Sequence, residues 1–118
     1  MSLAGLRVLV VEDEPVVAMC LEDMLEELGC VTVGPASRLA EGLALAEREM
    51  IDAAILDINL AGERSNTIAD ALRARDVPFA FASGYGAPPE GYGAPMIEKP
   101  YRAADISGAL TRLLGEPQ

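Results

Sequence analysis

Short apolar runs alternate along this chain with segments in which apolar residues recur every three or four positions. Residues 6–11, 30–33, 53–56, 79–82 and 96–97 are unbroken or nearly unbroken apolar runs. Runs without polar alternation predict strands buried on both faces. Val16, Met19, Cys20, Met24 and Leu28 recur at helical spacing, with Pro15 at a first helical position and Gly29 as a stop. Ser37 predicts the cap of a second helix with Leu39, Leu43 and Ala46 inward. Ser65 or Asn66 predicts the cap of a third, running through Ile68, Ala69 and Leu72. Ile106, Leu110, Leu113 and Leu114 mark a last helix. Strands alternating with helices predict an α/β fold, a parallel sheet covered on both faces. Right-handed crossovers place every strand's carboxyl end on one edge.

One gap breaks the pattern. Between the fourth and fifth strands, where a helix belongs, stands S-G-Y-G-A-P-P-E-G-Y-G-A-P. Gly86, Gly91 and Gly93 raise the entropy cost of a helix, and Pro88, Pro89 and Pro95 remove amide donors. A fourth helix is therefore expected to be short or absent.

The chain has 118 residues, a net charge of −10 and no histidine. That length suits one domain, expected over residues 6–115 with tails at 1–5 and 116–118. An acidic surface repels phosphate backbones, which disfavours nucleic acid as a direct partner. The absence of histidine excludes a His base and any His-ligated metal, leaving oxygen ligands and hence Mg²⁺ or Ca²⁺. No apolar run reaches membrane-span length, and no secretory pattern is present. Cys20 and Cys30 fit no disulfide framework or redox motif. They read as small core residues in a reducing cytoplasm.

The polar residues that follow the strands carry the chemistry. Glu12 and Asp13 end the first strand, Asp57 the third and Ser83 the fourth, and Lys99 lies just past the fifth. Ligands of open parallel sheets bind beyond those ends. Glu12 and Asp13 can instead cap the first helix, and each of the others has an ordinary reading alone: a strand-end acid, a turn serine, a solvated lysine. Their ordered placement on one edge favours a joint site. Crowded carboxylates raise one another's pKa, and a divalent cation relieves that cost. Oxygen ligands with open positions suit Mg²⁺. Lys99 supplies a fixed positive charge for a phosphoryl oxygen, Ser83 a hydroxyl, and an Asp beside Mg²⁺ can act as a nucleophile toward phosphorus.

With V-L-V-V-E-D-E, A-I-L-D-I-N-L, F-A-S-G and E-K-P-Y in that order, nearly the whole chain resembles the receiver domain of two-component response regulators. The resemblance implies a flavodoxin-like, doubly wound (βα)₅ fold with a five-stranded parallel sheet of order 2-1-3-4-5. It implies Asp57 as phosphoacceptor, and Glu12 and Asp13 as the Mg²⁺-binding pair, with the backbone carbonyl of Asn59 as a further ligand. It implies Ser83 as switch hydroxyl, Lys99 as its phosphoryl-pairing lysine, and a cis Lys99–Pro100 bond. F-A-S-G-Y-G is similar to the F-A-T-G-hydrophobic-Tyr signature of the FAT GUY receivers, with Ser83 in place of Thr. Met96 stands where the family's switch aromatic sits, so ring rotation cannot report phosphorylation.

The expected donor is a histidine kinase or phosphotransfer protein. The expected output is a rearranged 83–96 loop that docks a downstream protein together with the fifth strand and last helix; the alternatives are a phosphate sink and a static, Pro-stiffened loop. Asn59 and Tyr85 flank the site as candidates for tuning hydrolysis. Two rivals stand beside this reading. A haloacid dehalogenase-like phosphohydrolase carries a second Asp two residues after the nucleophile, where this chain has Asn59. A pseudo-receiver would dock partners without being phosphorylated.

Overall fold

Each apolar run becomes a strand because both of its faces are covered. The structure, a computed structural model, describes residues 3–60, 62–83, 91–99 and 101–114, Asn59 by its backbone only. The elements are β1 (Arg7–Val11), α1 (Pro15–Glu27), β2 (Val31–Ala36), α2 (Leu39–Arg48), β3 (Ala53–Asp57), β4 (Asn59–Leu60), β5 (Glu63–Arg64), α3 (Asn66–Ala74), β6 (Phe79–Ser83), β7 (Met96–Glu98) and α4 (Ala103–Leu113). The main sheet is parallel and runs β2-β1-β3-β6-β7. This is the expected order once the short antiparallel β4–β5 ribbon, which sequence patterning missed, is set aside.

Successive strand residues face opposite sides. Leu9, Val11, Leu56 and Phe81 pack with Ala46, Ile68 and Leu72 of α2 and α3. Val8, Val10, Ile55 and Ala82 pack with Leu21, Leu25, Ile106 and Leu110 of α1 and α4. All five residues of β3 are buried, which puts Asp57 at the end of the central strand. Gly42 of α2 keeps α2 close to α3, since a Cβ there would lie 2.7 Å from Ile68 Cδ1.

Several local expectations are corrected. Helix α1 buries Ala18, Leu21 and Leu25, leaving Val16 73% and Met19 59% exposed and Cys20 on the surface. Its apolar residues cover more than one face, and the sheet selects the leucine stripe. Cys30 is buried as expected. Strand β2 continues beyond residue 33 through Gly34 (φ +94°) and Pro35, with an irregular register against Leu9 and Val11. An edge strand tolerates a bulge and a missing donor there. Ser37 is not a side-chain cap; Arg38 holds that position, and the Ser37 amide donates to Glu41 Oε1 at 3.1 Å. Ser65 does sit at the N-cap of α3, but its buried hydroxyl donates to the Ile58 carbonyl at 3.4 Å and makes no cap bond.

The described residues between β6 and β7, 91–95, form no helix. The rest of that connection, with Tyr85, and the Lys99–Pro100 bond lie outside the described residues. What holds this stretch is a clasp on α3. The Arg73 guanidinium donates to the carbonyls of Gly91 (3.0 Å) and Tyr92 (2.9 Å) and lies 5.1 Å from the Tyr92 ring centroid. The Tyr92 ring meets Phe79 and Phe81 edge to face, at 5.9 and 5.6 Å. Its hydroxyl donates to Asp70 Oδ1 at 2.7 Å.

Tyr92→Ala is expected to cost about 2–3 kcal/mol of unfolding free energy and Arg73→Ala about 1 kcal/mol. Tyr92→Phe, which keeps the ring, should cost less than half of the alanine loss. Urea denaturation measures all three, and equal losses for Phe and Ala at position 92 would show that the ring contacts contribute nothing.

Candidate functional site

Four strand ends deliver the site. Glu12 and Asp13 follow β1, Asp57 closes β3, Ser83 closes β6 and Lys99 follows β7. Glu12 is 2% exposed and Asp57 6%, so both carboxylates are buried. Neither Glu12 nor Asp13 holds the N-cap position of α1. Glu14 stands there without a side-chain cap bond, and its amide donates back to Glu12 Oε2 at 3.2 Å.

Lys99 ties the strand ends together. Its Nζ lies 2.9 Å from Glu12 Oε1, 3.1 Å from Glu12 Oε2 and 3.3 Å from Asp57 Oδ2, with Glu14 Oε1 at 3.8 Å. The Lys99 amide donates to the Ser83 carbonyl at 3.0 Å, which sets the lysine's height against β6. One oxygen each from Glu12, Asp13 and Asp57 falls within 4.8 Å of the others. Oxygens bound at about 2.1 Å to one Mg²⁺ are at most roughly 4.2 Å apart, so a small contraction makes this donor set fit that ion. Among the sequence candidates, Glu12, Asp13, Asp57 and Lys99 are thus brought together. Ser83 sits at the same edge, one residue past Ala82, the register partner of Asp57. Asn59 lies two residues beyond Asp57, its backbone paired with Arg64 in the β4–β5 ribbon.

The electrostatics follow from one ammonium among the carboxylates. Burial, then the charge of Glu12, pushes the Asp57 carboxyl up from 3.8 to about 7 against the opposing pull of Lys99. Burial alone would lower the Lys99 ammonium, but the hydrogen bonds and charges of Glu12 and Asp57 outweigh it and the net direction is up.

Sequence reasoning missed Tyr101. It is 8% exposed, and its hydroxyl donates to Glu12 Oε1 at 3.3 Å. Burial, then the charges of Glu12 and Asp57, pushes the phenol up, so it remains a donor. Its signal was its place two residues after Lys99, at the entry to α4. Two grooves meet at this lysine. One is apolar, lined by Val16, Val17, Cys20 and Met24 of α1 with Lys99 and Tyr101. The other runs between β7 and α4, past Met96, Glu98, Lys99, Arg102 and Asp105. Among the described residues, no helix is long and apolar enough to cross a membrane.

A parallel sheet of this order, with a buried acidic cluster and a lysine at its carboxyl edge, defines a receiver. Residues 8–109 match the response regulator receiver domain family, and the chain belongs to it. The chain is 34% identical to the phyllosphere-induced regulator PhyR of Methylorubrum extorquens over 117 residues, 92% of this chain and 43% of PhyR. It therefore spans less than half the length of that relative. The solution structure of SdrG from Sphingomonas melonis Fr1 matches with a TM-score of 0.83 and 43% identity, over 97% of this chain and 99% of SdrG. The receiver domain of the sensor histidine kinase PA1611 from Pseudomonas aeruginosa PAO1 matches with a TM-score of 0.81 and 27% identity, over 96% of this chain and 100% of that one. That domain carries a magnesium ion coordinated in its active site cleft. Receiver domains bind Mg²⁺ in an acidic pocket, and this chain has an acidic cluster at the corresponding edge.

Asp57 gives a signed pH dependence. Its carboxyl titrates at about 7 in the fold, against an ordinary value of 3.8. Between those values the folded state binds more protons than the unfolded state, so this contribution falls as pH rises through the window. In EDTA the protein is expected to melt at a lower temperature at pH 8 than at pH 5.5, with a smaller difference in Asp57→Asn. An identical pH profile in the variant would remove Asp57 as the source.

Proposed function

We propose that this receiver accepts a phosphoryl group on Asp57 from a phosphohistidine of a kinase or phosphotransfer protein. The observation that carries the reading is the Lys99 ammonium, 3.3 Å from Asp57 and 2.9 Å from Glu12 inside a buried acidic cluster. Bound at Glu12, Asp13, Asp57 and the Asn59 carbonyl, Mg²⁺ would neutralise phosphoryl oxygens. Asp57, as the anion, forms the new O–P bond while the P–N bond to the donor imidazole breaks and its electron pair stays on that nitrogen. Lys99 turns from Asp57 to the transferred oxygens, and Ser83 donates its hydroxyl to them. F-A-S-G-Y-G supports placement among the FAT GUY receivers.

The two grooves at Lys99 support a division of labour. The α1 groove, with Val16 exposed in its lining, suits the donor, since it leads directly to the amine. The β7–α4 groove, together with the 83–96 loop, suits the downstream protein. Asn59 cannot transfer a proton, which weighs against the phosphohydrolase reading.

Acetyl phosphate with Mg²⁺ is expected to label the wild-type protein and not Asp57→Asn. Labelling of the variant at the wild-type rate would end the acceptor assignment. Mg²⁺ at about a hundred times its dissociation constant should stabilise the wild type by about 2.7 kcal/mol, read as a rise in melting temperature. Val16→Glu should slow transfer from the histidine donor by about tenfold while leaving acetyl phosphate labelling intact. Equal slowing of both would place Val16's effect in the chemistry and not in docking.

A further inference from the structure

Glu12 is the most enclosed carboxylate of the cluster, and its two oxygens are held by different donors. Oε1 accepts from Lys99 (2.9 Å) and from the Tyr101 hydroxyl (3.3 Å). Oε2 accepts from Lys99 (3.1 Å) and from the Glu14 amide (3.2 Å). Lys99 cannot by itself fix the carboxylate, because its ammonium sits on a flexible stem and is shared with Asp57. The other two donors are fixed. The Glu14 amide belongs to the backbone at the start of α1, and the Tyr101 ring is packed in the core with Leu21, Leu25 and Ile106. Each fixed donor takes one oxygen, and together they define the plane of the carboxylate. The hydroxyl does so without adding a positive charge that would compete with a cation.

We propose that Tyr101 is a positioning residue for the cation site, its hydroxyl holding Glu12 in the orientation that binds the metal. The proposal rests on the reading of Glu12, Asp13 and Asp57 as the Mg²⁺ ligands. Hydrogen-bond partners of metal ligands commonly contribute 10- to 100-fold to affinity by fixing ligand orientation. A phenylalanine at position 101 would fill the same core space and leave Oε1 without its fixed donor.

The test is a titration with Mg²⁺ alone, followed by calorimetry and by amide chemical shifts, on wild type, Tyr101→Phe, Glu12→Gln and the double variant. Tyr101→Phe is expected to weaken Mg²⁺ binding about tenfold, with little change of melting temperature in EDTA. In the Glu12→Gln background it should have no further effect, because the hydroxyl acts through Glu12. Acetyl phosphate labelling of Tyr101→Phe should regain the wild-type rate at saturating Mg²⁺. A dissociation constant within twofold of wild type, tighter binding, or the same loss with Gln at position 12 would overturn the proposal. If the wild type itself fails to bind Mg²⁺, the cation-site reading falls, and the role of Tyr101 falls with it.

Discussion

One buried ammonium among several carboxylates is the constraint on which the site depends. Removing charges from water is expensive, and a buried pair is retained only when its geometry and hydrogen bonds are good. Here Lys99 spans Glu12 and Asp57, strand ends that come from β1 and β3, and so offsets part of the repulsion between them. The compensation is deliberately short of complete. Asp57 keeps an elevated pKa of about 7, with burial and Glu12 outweighing Lys99. A second built-in cation would leave the cluster near neutral and with little affinity for a metal. A site without Lys99 would leave the folded chain to bear the whole repulsion.

The structure supplies a resident counterion, a backbone amide at Glu14 and a phenol at Tyr101, all directed at Glu12. Asp57 also accepts from the lysine, at 3.3 Å. Glu12 is held by several partners, while burial and the charge of Glu12 push the Asp57 carboxyl up.

The sheet and the acidic edge were legible in the sequence for a physical reason. Strands buried on both faces must be apolar throughout, and the polar residues at their ends then stand out, as with Ala53–Asp57. Helix α1 was less legible because Val16, Met19 and Cys20 are as apolar as Leu21 and Leu25, and periodicity alone cannot say which stripe meets the sheet. Strand β2 ran past its expected end because an edge strand admits Gly34 and Pro35. Ser37 and Ser65 were plausible caps by residue type, yet the Ser37 amide and the Ser65 hydroxyl found other partners. Tyr101 was invisible as a site residue because its partner Glu12 is 89 positions away, and only the closed sheet brings them together.

The same geometry bears on how a change at Asp57 could reach the surface. The Arg73–Tyr92 clasp fixes residues 91 and 92 to α3. Ser83 is fixed in β6. Sliding of β7 is resisted by its pairing with β6 through Phe81, Ala82 and Ser83. The Lys99 side chain stands between these elements. It borders both grooves, and it shares Glu12 Oε1 with Tyr101 at the entrance to α4. Through this shared oxygen the entrance to α4 is tied to the same carboxylate as the lysine beside Asp57.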